Sequence, residues 1–135
     1  MTYRFSDDTA EMDRDLIHHW LSVETYWAVG RSREVQDAAM DGSRNFGMFD
    51  EQTGEQVAYA RVITDAATFA WLCDVFVTPK VRGAGVGATL IERIVAQLEP
   101  LALRRMMLVT KDAHGLYEKF GFAVPAEPEL IMARM

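Results

Sequence analysis

The chain has 135 residues, 14 basic and 20 acidic, and a formal net charge of -6. Half its residues are apolar and a quarter are charged, which excludes disordered, collagen-like and low-complexity chains. The length suits one hydrophobic core, so a single domain over 1–135 is expected, and the acidic balance argues against a nucleic-acid or anionic-membrane partner.

The lone cysteine, Cys73, cannot close an internal disulfide and cannot build a zinc site by itself, so no metal is expected. No apolar run approaches the roughly 18 residues of a membrane helix. The first residues lack the apolar core of a signal peptide. Together these point to a reducing, cytoplasmic setting.

Along the chain, Tyr3 to Phe5 reads as a short strand. Asp8 offers an N-cap with Glu11 as its capping partner. Met12, Leu16, Ile17, Trp20 and Leu21 then repeat at helical spacing. Ser32 is a second N-cap; Val35, Ala38 and Ala39 continue that helix and Gly42 closes it. Tyr26 to Gly30 forms an aromatic loop between the two helices. Phe46 to Phe49 and Val57 to Ile63 read as a hairpin around the turn cluster Asp50 to Gly54.

Phe69 to Val77 is nearly all apolar, like a central strand covered on both faces. Val86, Leu90, Ile91, Ile94, Val95 and Leu98 then make the clearest amphipathic helix, which Pro100 ends. Met106 to Val109 reads as a buried strand, parallel to the one before the helix. Leu116 and Phe120 lie on a last short helix, with Gly121 as its left-handed cap and Phe122 just beyond. Leu130 to Met132 is read as a final strand. Helices, then a hairpin, then a crossover predict a mixed α/β sheet.

Arg82-Gly83-Ala84-Gly85-Val86-Gly87-Ala88 joins the apolar strand to the strong helix. Glycines allow close backbone approach, and the first helix amides lack internal partners. The helix dipole adds partial positive charge, so the turn is an anion site suited to phosphate. A P-loop would end Gly-Lys-Ser/Thr, and this turn ends Gly87-Ala88-Thr89. The dinucleotide pattern wants an acidic residue about 20 positions on, where Leu103-Arg104-Arg105 stands.

The stretch resembles the GNAT superfamily of N-acetyltransferases. Its Arg/Gln-x-x-Gly-x-Gly/Ala signature is matched by Arg82, Gly85 and Gly87. The run Val75-Phe76-Val77-Thr78-Pro79 before it, and Ala113, Tyr117 and Gly121-Phe122 after it, look like that family too. The resemblance implies a twisted, mostly antiparallel mixed sheet flanked by helices, with splayed central strands. It implies acetyl-CoA as acyl donor. Gly83, Ala84, Gly85, Val86, Gly87 and Ala88 with Arg82 would bind its pyrophosphate, and the backbones of Phe76 and Val77 its pantetheine arm. Many members carry an asparagine seven residues before the tyrosine, where this chain has Thr110.

Tyr117 stands where the family places its general acid; the alternative is a phenol packed beside Leu116 and Phe120. Cys73 occupies a position where some relatives carry a glutamate base. Asp74 follows it, and a carboxylate in an apolar strand is costly unless paired or functional. It would hold or deprotonate the amine, or form an ion pair with an arginine such as Arg61. Tyr26 and Trp27, with Cys73, are candidates for the acceptor site. His114 lies near Tyr117 in sequence, and a solvated helix position is the simpler reading of it. The expected function is acetyl transfer to an amine of a small molecule. The alternatives are a non-catalytic acyl-CoA-binding module and a dinucleotide-binding protein. A homodimer is a family-level expectation.

Overall fold

The structure, a computed structural model, describes residues 2–135. Its strands β1 (Tyr3–Ser6), β2 (Arg44–Asp50), β3 (Gln56–Thr64), β4 (Phe69–Val77) and β5 (Arg105–Met107) form one sheet in chain order. The first three junctions are antiparallel and β4–β5 is parallel. A parallel neighbour needs a crossover, and helix α3 (Val86–Leu98) provides it. Helices α1 (Arg14–Glu24) and α2 (Arg33–Asp41) lie between β1 and β2, and α4 (His114–Glu118) follows β5. This is the mixed, mostly antiparallel sheet flanked by helices that the sequence predicts. No helix of the described residues is long and apolar enough to cross a membrane.

Two apolar layers sandwich the sheet. Leu90, Ile91, Ile94 and Leu98 of α3 are buried with Ala60, Val62 and Leu72. Ile17, Trp20 and Leu21 of α1 are buried with Met40, Tyr59 and Phe76. Each such large apolar side chain contributes about 1.5–3 kcal/mol on burial.

Several local expectations are corrected. Asp8 caps only a 3-10 turn over Thr9–Glu11, accepting the Ala10 amide at 2.9 Å. Met12 is extended, and α1 starts afresh with Asp13 accepting the Leu16 amide at 3.1 Å. Glu11 turns away to Ser6 and Arg4 instead of closing a capping box. Ser32 does cap α2, but Val35 is exposed and the inward face is Gln36 and Met40. β5 is shorter than expected, and Val109 beyond it is 80% exposed. Leu130 to Met132 forms no strand; a 3-10 turn over Pro128–Leu130 stands there, and prolines at 125 and 128 deny a ladder its donors.

β4 departs from the expectation in the most consequential way. Its residues alternate between buried and half-buried, so it is not sealed on both faces. Asp74 has φ 55°, and the register with β3 slips between Tyr59 and Arg61. This is a β-bulge, which re-aims a side chain and bends the strand. Before the bulge Leu72 packs in the α3 layer; after it Val75 and Val77 do, while Asp74 and Phe76 turn toward α1 and α2.

Candidate active site

The glycine turn sits at the C-terminal end of β4. Gly83 and Gly85 have φ of 90° and 78°, and a Cβ on either would meet nothing within 4 Å. The demand there is conformational, and the space over the turn is open. Gly87 differs: a Cβ would press on Val77 Cγ2 at 3.3 Å, so this glycine lets α3 approach the strand. The α3 ladder begins with the Thr89 amide on the Gly85 carbonyl. The amides of Val86, Gly87 and Ala88 therefore have no acceptor among the described residues. Arg82 sends Nε to the Val77 carbonyl at 3.0 Å and lies over the Phe76 ring at 5.5 Å. It makes no ion pair among the described residues, so its outer nitrogens remain free for an anion.

β4 and β5 pair only from Phe69–Arg105 to Trp71–Met107, and then separate. Beyond that point one edge of β4 is unpaired. The Thr78 amide bonds the Val57 carbonyl at 2.9 Å, and Phe76 faces Tyr59 across the ladder. Alternation then spends the Phe76 backbone on β3 and turns the Val77 backbone to the open edge. So Val77 is placed as expected and Phe76 is not. Val75, which the resemblance did not assign to the pantetheine arm, takes its place at the edge by the same alternation.

A cleft of about 670 Å³ opens at this separation, lined by Trp71, Met107, Thr110, His114, Tyr117 and Phe122 among others. Tyr117 is buried on α4, its ring edge-on to Phe122 at 6.0 Å. Gly121, with φ 90°, turns the chain so that the Phe122 amide bonds the Tyr117 carbonyl. Thr110, where an asparagine was the family pattern, accepts the Ala113 amide at 3.0 Å and starts the α4 turn. Burial, with the charges of Asp112 and Tyr26, pushes the Tyr117 phenol up to about 12. It stays a neutral hydroxyl through the physiological range. His114 is exposed at the rim of the cleft.

Asp74 is engaged on every side. Its Oδ2 accepts from Arg31 Nη1 at 2.8 Å and Arg61 Nε at 2.9 Å. Its Oδ1 accepts from Trp27 Nε1 at 3.3 Å and Arg31 Nη2 at 3.4 Å. Burial alone would raise its pKa, but the Arg31 hydrogen bond and the charges of Arg61 and Arg31 outweigh it and hold the carboxyl below its ordinary value. A carboxylate so placed is a poor proton acceptor and has no face left for an ammonium. The ion-pair alternative, which named Arg61, is what the geometry displays, with Arg31 added. Arg31 lies 43 residues from Asp74, and no local pattern announces that pairing.

Burial pushes the Cys73 thiol up to about 11, against the pull of Arg61. It is a protonated thiol beside the cluster, not an activated nucleophile. Trp27 is half exposed over Asp74. Tyr26 packs edge-on against Trp27 at 5.1 Å, lies under Lys111 Nζ at 5.4 Å, and stands close enough to bear on Tyr117.

Comparison with known proteins agrees with this geometry. The model of the acetyltransferase (GNAT) family matches residues 14–122. A crystal structure of a GNAT-family protein from Xanthomonas campestris pv. campestris superposes with a TM-score of 0.94 at 43% identity, covering 100% of this chain and 94% of that one. A Gibberella zeae protein named as an acetyltransferase is 31% identical over 137 residues, 87% of this chain and 76% of its own. Serotonin N-acetyltransferase 2 of rice, Oryza sativa subsp. japonica, is 34% identical over 79 residues, 58% of this chain and 38% of its own. By these matches, on the fold described above, this chain belongs to the acetyltransferase (GNAT) family.

Proposed function

We propose that this chain is an N-acetyltransferase that moves an acetyl group from acetyl-CoA directly to the amine of a small molecule. The observation that carries the reading is that β4 and β5 part after Trp71–Met107, and each leads to one feature. Free amides at the head of a 13-residue helix follow β4, and a neutral phenol on α4 follows β5. The residues suit the cofactor. The open space over Gly83 and Gly85, the free amides of Val86, Gly87 and Ala88, and Arg82 without a carboxylate partner would hold its pyrophosphate. The unpaired β4 edge at Val77 would take its amide-bearing arm. Acetyl-CoA, when bound, supplies the acetyl group as a thioester.

Tyr117 would donate a hydrogen bond to the departing thiolate. At about 12 its phenol lies about 3.5 units above an ordinary thiol, so full proton transfer costs about 5 kcal/mol. Tyr117 therefore orients and stabilises the developing charge as a donor, and the proton follows as solvent allows. Asp74 is committed to its arginines and is no proton acceptor for the amine. The amine would lose its proton to water and attack in neutral form. The rice relative by its name acetylates serotonin, and the exposed Tyr26 and Trp27 give this chain an aromatic rim that suits a ring-bearing acceptor.

A panel of small amines with acetyl-CoA, followed by thiol release, tests the reading. Turnover of at least one amine is the expected result. CoA binding without turnover of any amine would overturn it.

A further inference from the structure

Acetyl transfer leaves one built feature unused, the pair of arginines on Asp74. Arg31 and Arg61 bring two positive charges to one carboxylate, so the cluster holds one cation in excess. Its accessible part is cationic: the side chain of Arg31 keeps 19% exposure and Arg61 11%, while Asp74 keeps 2%. Neither guanidinium makes a second ion pair among the described residues. Arg61 Nη1 donates to Ser43 Oγ at 3.1 Å and Arg31 Nη1 to Gln36 Oε1 at 2.9 Å. Arg61 Nη2 and Arg31 Nε have no acceptor among the described residues. A partly desolvated excess charge is costly until an anion completes it, and the guanidinium fork matches carboxylate and phosphate.

The cluster is also well placed and held. It lies where β4 has parted from β5, and Trp27, which packs against Tyr26, covers it. Arg31 is fixed through its backbone: its amide bonds the Ala28 carbonyl at 3.0 Å, and the Arg31 carbonyl lies 2.7 Å from His18 Nε2. The Gly30 amide on the Ser22 carbonyl ties the same loop to α1.

We propose that Arg31 and Arg61 bind an anionic group of the acceptor, a carboxylate or a phosphate, so that the acceptor is a zwitterionic amine. The proposal rests on the acetyl-transfer reading. It reverses what the acidic surface suggests, because the charge a ligand meets is that of the local arginines.

The test is calorimetric binding to the CoA-loaded protein, using matched ligands. N-acetyltryptophan is compared with N-acetyltryptamine, and phosphoethanolamine with ethanolamine. The expected result is that one anionic ligand binds at least about tenfold tighter than its twin. That gap should collapse in Arg31→Gln and partly return in Arg31→Lys, with thermal melting to confirm folding. The carboxylate and phosphate pairs distinguish the two anions. Equal binding within both pairs, or an unchanged gap in a folded Arg31→Gln, overturns the proposal. Thiol release with tryptophan, tryptamine, phosphoethanolamine and ethanolamine is measured separately. An anion preference in binding without any turnover would sink the transfer reading and leave this site standing. Turnover of tryptamine with no anion preference would do the reverse.

Discussion

At the C-terminal end of β4 the unpartnered polar groups are backbone amides; at its middle the polar groups are side chains from three distant segments. The glycine turn needs no partner to be what it is, since φ of 78° at Gly85 and the start of α3 leave the amides free. The Asp74 cluster exists only because a bulge turns one carboxylate toward a loop that brings Arg31 and a strand that brings Arg61. The first is local and presents free donors to open space. The second is long-range, and its net charge is decided by how many arginines arrive.

This contrast can be broken by variants. Gly85→Val forces a branched side chain into left-handed backbone, at a cost of about 1–2 kcal/mol, and places it in the path of the phosphates. We expect CoA affinity to fall by about a thousandfold or more, read by calorimetry. The fold should persist, because nothing packs within 4 Å of that position. Asp74→Ala should act the other way. It strands two largely buried guanidiniums and should cost about 3–5 kcal/mol in denaturant unfolding. CoA affinity of the folded protein should change little, which a strong loss would contradict.

Tyr117→Phe removes a single hydroxyl from the cleft. We expect kcat to drop about a hundredfold while KM for acetyl-CoA stays nearly constant. Unchanged kcat would remove Tyr117 from the chemistry. With Tyr117 neutral until about 12, Asp74 committed to its arginines and the amine losing its proton to water, kcat/KM should rise with unit slope up to the pKa of the acceptor amine. An earlier plateau would reveal an enzyme base. The smallest effect concerns acid stability. The Asp74 pKa is lowered by its arginines, so its contribution is complete above an unfolded value of about 3.9 and is lost as pH falls through the folded one. Asp74→Asn should therefore show a shallower loss of stability below about pH 4 than the parent.

The legible parts of the molecule are those with local causes. The α3 stripe, the Ser32 cap, the hairpin and the β4 bounds all follow from periodicity and turn chemistry within a few residues. The place of Tyr117 on a short helix closed by Gly121-Phe122 is legible from that motif. The start of α1 was misplaced because Asp8 and Asp13 are equally good caps, and the extended Met12 between them decided the matter. The choice of Phe76 over Val75 for the open edge failed for another reason. Which backbone groups face outward depends on the register with β3, and period two in the sequence cannot choose between the two phases.

By itself, then, the amino-acid sequence determined the elements and the donor turn, since helix ends, glycine conformations and apolar stripes are properties of neighbouring residues. Only the tertiary structure decided what Asp74 is for. A buried carboxylate must be neutralised, but its partner is chosen by which cations folding brings within about 3 Å. Here two arrive, and that turns an apparent ammonium site into a cationic one.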